Sequence, residues 1–387
     1  MDELYFDHAA TTPCDPRVRA VMMTALEEEN GNPHSSTHAS GRRAAALVDT
    51  ARAEVAALIG ADPREIIFTS GATEANNLAI KGAARHLAAQ GSPRRRVITV
   101  ATEHKCVLES VRDLAQEGFE PVILPVDANG LLDPAVLQKA LEVPTALVSI
   151  MAANNETGVL QDVATLAPLV EQAGALLHSD LAQAAGKIPV DVRRMGLALG
   201  SISSHKLYGP KGAGALFVRR RPRVRLQPLF SGGGQERGLR SGTLPGFLLA
   251  GFGEACRIAR EEGPKDAAHL AHLRNVFLAR VKRSLPEIVV NAVAAPRLPG
   301  LFSLRLPEGL KALDVIAAMP GLAVSLGSAC SSAEIAPSYV LEAMGLGRDE
   351  AGRSLRLSPG RFTSAAEAER AADRLVQAAM TKIALAG

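Results

Sequence analysis

Between Ile66 and Val218 the chain alternates short apolar runs with stretches long enough to be helices. This alternation restricts the fold more than any other feature of the 387 residues. Ile66-Ile67-Phe68-Thr69 predicts a short buried strand, and Gly71-Ala72-Thr73-Glu74 turns it into a helix reaching about Ala89. The pattern continues with strands at Val97–Ala101, Val122–Pro125, Leu147–Ile150 and Ala175–His178, the last ending at Asp180. Helices are expected at Cys106–Glu117 and Val163–Ala173, and further strands at Leu199–Ile202 and Ala213–Val218. Strands spaced by helices pair mostly in parallel, with the helices covering the sheet. The expected class is α/β.

After about Gly253 the rhythm changes. Glu254–Glu262 and Ala267–Leu285 read as two long helices, Leu301–Leu306 and Leu322–Leu326 as strands, and Ser364–Ala386 as one helix. Ser364 with Glu367 three residues on has the form of a capping box. A second, smaller α+β unit is expected here. Apolar residues make up 47% and charged residues 21%, which permits a large core and excludes wholesale disorder. A net charge of +3 is too weak a bias to indicate nucleic-acid binding, and none is expected. No apolar run approaches a membrane span, and Met1-Asp2-Glu3-Leu4 is unlike a signal sequence, so a cytoplasmic protein is expected. Arg219-Arg220-Arg221-Pro222-Arg223-Val224-Arg225 reads first as a solvated turn and second as a dock for an acidic partner.

The chemistry centres on Lys206, in Ser203-Ser204-His205-Lys206-Leu207-Tyr208-Gly209. A lysine delivered by a strand into a loop beside a hydroxyl and an imidazole is well placed to form a Schiff base, because partial burial lowers its pKa. Ser70-Gly71-Ala72-Thr73 joins a strand to a helix, where backbone N–H groups and the Thr73 hydroxyl make an anion site. Ser203 and His205 add donors beside Lys206. Asp180, at a strand end, could pair with a pyridinium nitrogen, and Gln183 could hydrogen-bond a ring hydroxyl. His104, at another strand end, could stack on the ring and handle protons. Phosphate, lysine and ring partner together describe pyridoxal 5'-phosphate. His34 and His38 have a ligand-like spacing, but Pro33, Ser35, Ser36 and Gly41 favour a loop, with site-lining or packing roles. The cysteines are Cys14, Cys106, Cys256 and Cys330, with no metal-knuckle spacing among them. Cys330 stands out because Gly327, Ser328, Ala329, Ser331 and Ser332 around it are all small, which suits a travelling thiol.

Thr69–Asn77, Glu103-His104-Lys105, Asn154–Gly158, Ser204–Gly212, Arg240–Thr243 and Gly327–Ser332 together resemble the cysteine desulfurases, of the NifS/IscS type with a long catalytic-cysteine loop. Tyr5–Pro13 and Gly31–Ser36 match as well, so the resemblance covers essentially the whole chain. It implies a fold-type I pyridoxal-phosphate-dependent transferase, aspartate-aminotransferase-like and homodimeric. Residues 14–253 would form the large cofactor domain. Residues 1–13 and 254–387 would form the small domain carrying Cys330. The resemblance implies cofactor contacts from Ala72, Thr73, His104, Asn155, Asp180, Gln183, Ser203, Ser204, His205 and Lys206, with Thr243 reaching the phosphate in the neighbouring subunit. Arg356 would grip the carboxylate of L-cysteine with Asn155 assisting, and Arg361 is the alternative. Lys206 and His104 would move protons. Cys330 would take the substrate sulfur as a persulfide, leaving alanine, and would touch an iron–sulfur centre transiently on handover. The sulfur would pass to an iron–sulfur scaffold or another thiolation protein. The chain stops at Gly387, directly after the last helix, so molybdenum-cofactor sulfuration, tRNA thiolation or a dedicated scaffold stay open as destinations. Selenocysteine lyase or another aminotransferase-like pyridoxal enzyme is the alternative reading.

Overall fold

The computed structural model describes residues 3–327 and 337–386. Among them the strands are β1 (Leu4–Tyr5), β2 (Ile66–Thr69), β3 (Arg96–Val100), β4 (Glu120–Leu124), β5 (Thr145–Ser149), β6 (Leu176–Asp180), β7 (Leu199–Ser203), β8 (Gly214–Val218), β9 (Val289–Val290), β10 (Phe302–Arg305), β11 (Leu322–Ala323) and β12 (Ser354–Leu357). β2 to β8 form a seven-stranded sheet in the order β2-β8-β7-β6-β5-β3-β4. The pairings among β3 to β7 are all parallel. β8 alone runs against its neighbours β7 and β2. The reason is chain length: ten residues with a single 3-10 turn separate Ser203 from Gly214, too few for a parallel crossover. That short return carries Lys206.

Side chains alternate across this sheet as a strand period of two requires. Ile67, Val97, Leu147 and Leu199 face one apolar core, packed under the Ala72–Ala89 helix by Ala75, Leu78 and Ala79. Phe68, Ile98, Val148, Leu177 and Ile202 face a second core with Val55, Phe252 and Ile258. Both faces are covered, which explains the near-continuous apolar strands.

A third core lies around the antiparallel sheet β12-β10-β9 and includes Leu4 and Phe6 from the N-terminal segment. One helix, Gly246–Ser284, joins the cores: Leu249, Phe252 and Ile258 enter one, and Leu273, Phe277 and Val281 the other. The sequence suggested two helices, Glu254–Glu262 and Ala267–Leu285, and this is corrected. Pro264 and Arg260 are both exposed, so the carbonyl of Arg260 that Pro264 deprives of its partner lies on the solvent side of the helix. The last helix, Ala365–Ala386, begins as expected: Ser364 N donates to Glu367 Oε2 at 2.7 Å and Glu367 N to Ser364 Oγ at 3.2 Å. β11 is shorter than the predicted strand, ending at Ala323.

Candidate active site

The C-terminal ends of the parallel strands open into a cleft of about 430 Å³, a volume typical of small-molecule sites. β2 delivers Ser70 to Glu74, β3 leads to His104, β5 to Met151 and Asn155, β6 ends in Asp180, and β7 leads through Ser203 to Lys206. Residues distant in sequence meet here because parallel strands all point the same way.

Lys206 Nζ donates to the carbonyls of Ala9 (2.7 Å) and Ala10 (2.6 Å), so the N-terminal segment forms part of the wall. Asp180 accepts from Asn76 Nδ2 at 2.8 Å and from Ala182 N at 2.9 Å, which fixes its carboxylate plane. Gln183 Nε2 donates to Ala9 O at 2.8 Å. His104 is the N-cap of the Lys105–Asp113 helix, and its Nδ1 accepts from Cys106 N at 3.2 Å. The ring hydrogen therefore sits on Nε2 in the neutral ring. Burial, with help from Lys206 and Lys105, lowers the His104 pKa against the pull of Asp180. Burial and the neighbouring lysines push His205 down to about 4. Cys106, also in the cleft, is pushed up to about 12 by burial and Asp180, which keeps it a thiol rather than a nucleophile.

The Ala72–Ala89 helix starts at Gly71 with no side-chain cap, and Ala72 and Thr73 line the cleft. Unsatisfied N–H groups at a helix start suit an anion. On another wall, Asn155 Oδ1 is buried without a hydrogen-bond partner among the described residues. An orphaned acceptor of this kind costs stability unless a ligand satisfies it. Donors for an anion, a carboxylate at one side, an amine and an unsatisfied amide fit a phosphorylated pyridinium aldehyde and an amino-acid substrate.

Arg356, on β12, lines the cleft; its guanidinium donates to Asp7 Oδ1 at 2.7 Å and to Asn155 O at 3.0 Å. Arg361 lies elsewhere, donating to Asp15 (2.9 Å) and Asp266 (2.7 Å) and standing over the Tyr208 ring at 4.5 Å. Of the two candidate grips, only Arg356 reaches the cleft.

Ala72, Thr73, His104, Asn155, Asp180, Gln183, Ser203, His205, Lys206 and Arg356 all line the cleft. Ser204 does not: it is fully buried, and its Oγ packs against Gly209. Thr243 is exposed in a loop and lines no part of this chain's cleft. Cys330 lies outside the described residues. His38 caps the Ala39–Leu58 helix through Nδ1, accepting from Gly41 N, and neither it nor His34 lines the cleft. The loop expected there runs to His38, and only Gly41 of the residues that suggested it falls within the helix. Sequence reading passed over Asn76, Met151 and the Ala9 and Ala10 carbonyls. Asn76 had a signal, since it lies one helical turn after Thr73 and so on the same face.

Among the described residues no cluster of three or more His, Cys, Asp or Glu side chains could hold a metal ion. Nor is any helix among them long and apolar enough to cross a membrane. The sequence matches the family Aminotransferase class-V over residues 4–370. A protein named "Cysteine desulfurase IscS" from Rickettsia bellii is 48% identical over 364 residues, which is 94% of this chain and 88% of that one. A solved structure named "NIFS-LIKE PROTEIN" superposes with a TM-score of 0.88 at 34% identity, covering 97% of this chain and 98% of the other. Another, described as "SspA in complex with cysteine", gives a TM-score of 0.81 at 33% identity over 93% of this chain and 99% of that one.

Proposed function

This chain belongs to the class-V aminotransferase family, and from that premise we propose that it is a cysteine desulfurase using pyridoxal 5'-phosphate. The observation that carries the reading is the convergence of Lys206, Asp180, His104 and Gln183 on one cleft, with an uncapped helix start on one side and Arg356 on the other. Relatives named cysteine desulfurase and a related structure described with cysteine support L-cysteine as substrate.

The Ala72 and Thr73 N–H groups, with Ser203 and His205, would hold the phosphate. Asp180, held by Asn76, would pair with the ring nitrogen, neutral His104 would lie against the ring, and Gln183 would donate to the ring oxygen. When bound, the cofactor supplies an electron sink for the carbon that bears the substrate amine. The Lys206 amine would hold the cofactor and would carry the proton of the substrate Cα. Arg356 exchanges its bond to Asp7 or to the Asn155 carbonyl for the substrate carboxylate, with the Asn155 side chain assisting. Cys330 thiolate attacks the substrate sulfur. An S–S bond would form as the C–S bond breaks, the electron pair would go to the substrate Cβ, that carbon would take up a proton, and L-alanine would leave.

Thr243, exposed and outside its own cleft, suits a contact to the phosphate in a second copy, so we assign a homodimer. We divide the chain into residues 14–253 and residues 1–13 with 254–387, a division that follows the two apolar clusters in the main, with the long helix and Ala9, Leu298 and Leu301 crossing it. A reducing cytoplasm would keep the thiols free for this chemistry. A depression of about 350 Å³ lined by Arg64, Arg219, Arg220, Arg223, Arg225 and Arg237 is our candidate dock for an acidic sulfur acceptor, an iron–sulfur scaffold or another thiolation protein. Iron–sulfur cargo would meet Cys330 only in passing.

The test is direct. Protein loaded with pyridoxal phosphate should be yellow and should convert L-cysteine to L-alanine and sulfide under a thiol reductant. Lys206→Ala should abolish turnover, by at least about 10³-fold. Cys330→Ser should keep the colour and lose sulfide release. Full sulfide release by that variant would exclude the persulfide step and favour the lyase or aminotransferase alternatives.

A further inference from the structure

Lys187 takes no part in the chemistry above, and its surroundings set it apart. It follows the turn that carries Asp180 and Gln183 and sits half-buried behind the cleft, beside a small cavity of about 40 Å³ that His8, Tyr208 and Asp266 also line. Its ammonium donates to Gln183 Oε1 at 2.5 Å and has no carboxylate bonded to it among the described residues. Gln183 passes the contact on: its Nε2 donates to Ala9 O at 2.8 Å, and the same carbonyl accepts from Lys206 Nζ at 2.7 Å. Two amines are thus joined through one amide and one carbonyl.

We propose that Lys187 is a positioning residue of the active site, whose ammonium locks the orientation of the Gln183 amide and couples to Lys206 through it. A primary amide is nearly symmetric in shape and can flip. An ammonium only donates, so the Gln183 atom facing Lys187 must be the oxygen. That leaves Nε2 on the Ala9 and Lys206 side, with one hydrogen committed to Ala9 and a second for the cleft. A charge-assisted bond at Oε1 also makes the Nε2 hydrogens better donors. The inference rests on the proposed role of Gln183 as donor to the cofactor's ring oxygen.

The charge on Lys187 is sensitive to the site it serves. Burial, then Lys206 and Arg356, push its pKa down to about 7. The groups that face it come from every element around it: His8 from the N-terminal segment, His205, Lys206 and Tyr208 from the β7–β8 return, Asp266 from the long helix and Arg356 from β12.

The experiment follows the visible band of the cofactor-loaded protein against pH, without substrate. Lys187→Met removes a cation near the Lys206–cofactor linkage, so a proton there is easier to hold. The midpoint should rise by about 0.5–1 pH unit. Lys187→Gln keeps an N–H donor to Gln183 without the charge, and should shift the midpoint the same way by a smaller amount. In a Gln183→Leu background, Lys187→Met should shift it by less than about half as much. A residue that merely packs would lower the thermal midpoint of unfolding without moving the band. Midpoints of both Lys187 variants within about 0.2 unit of the parent, or an undiminished shift in the Gln183→Leu background, would overturn the proposal. A parent that stays colourless with pyridoxal phosphate defeats the functional reading and this inference with it. A coloured parent with unmoved variants defeats this inference alone.

Discussion

Arg356 and Arg361 stand five residues apart, both with nearly buried guanidiniums and both bonded to carboxylates, yet they occupy opposite kinds of environment. Arg356 borders the cleft, holds one carboxylate and one backbone carbonyl, and leaves its buried Nε without a partner among the described residues. Arg361 is clamped between Asp15 and Asp266 and stacked on Tyr208. The difference separates a guanidinium that can trade partners from one that cannot. A substrate carboxylate competes well with a carbonyl and a single, partly open aspartate. It competes poorly with two carboxylates and an aromatic face in a site it cannot reach.

The largest effect that tests this contrast is on substrate binding. Arg356→Met should lower kcat/KM for L-cysteine by about 10²–10³-fold, which is roughly 3–4 kcal/mol and within the range for losing a buried charge partner. Steady-state alanine production checks it. Turnover within about threefold of the parent would remove Arg356 as the carboxylate grip and erase the contrast.

Arg361→Met should do the reverse. It strands Asp15 and Asp266, and breaking one member of a buried charge cluster costs about 3–5 kcal/mol. A lower thermal midpoint is expected with kcat/KM per folded molecule near the parent value. A catalytic loss without a stability loss would mean that the sealed arginine communicates with the cleft after all.

This contrast also marks how far the sequence could be read. The seven-stranded sheet was legible because each strand is a short apolar run bounded by turn residues, and parallel strand ends are where such folds collect polar groups. Asp180, His104 and Lys206 follow from that rule together with the resemblance. Local sequence could not rank Arg356 over Arg361, because each lies near a strand end and the deciding partners, Asp7, Asp15 and Asp266, are hundreds or scores of residues away. Ser204 was misplaced for a similar reason. In a 3-10 turn, neighbouring side chains diverge, so Ser203 and His205 face the cleft while Ser204 packs behind Gly209. The long helix was misread as two: Pro264 lies within it, and buried residues on both sides carry the helix through. The Lys187–Gln183 contact is an i, i+4 relation that proximity alone makes plausible, but nothing in the sequence shows that no carboxylate would neutralise the lysine.

The smallest effect is on acid stability, and it tests the sealed cluster from within. Burial raises the Asp15 pKa, but hydrogen bonds from Arg17 and Arg361 outweigh it and hold the carboxyl at about 2. A folded pKa below the unfolded value of about 4 means that Asp15 contributes stability above pH 4, and that this is lost as pH falls from about 4 to 2. His8 and His178 act in an earlier window. Burial lowers them to about 4 and about 3, so below about pH 6.5 the unfolded chain binds protons that the fold refuses. The parent should therefore begin to lose stability below about pH 6.5 and lose it faster below 4. The deficit of Arg361→Met relative to the parent should stay constant above about pH 5 and narrow between 4 and 2, since protonating Asp15 removes from the parent what the variant already lacks. It should not close, because the variant also lacks the bond to Asp266 and the stacking on Tyr208, which protonating Asp15 leaves in the parent. Thermal midpoints measured across this range decide the point. A gap that stays constant down to about pH 2.5 would assign the stabilisation to Asp266 and to stacking on Tyr208, with Asp15 a bystander.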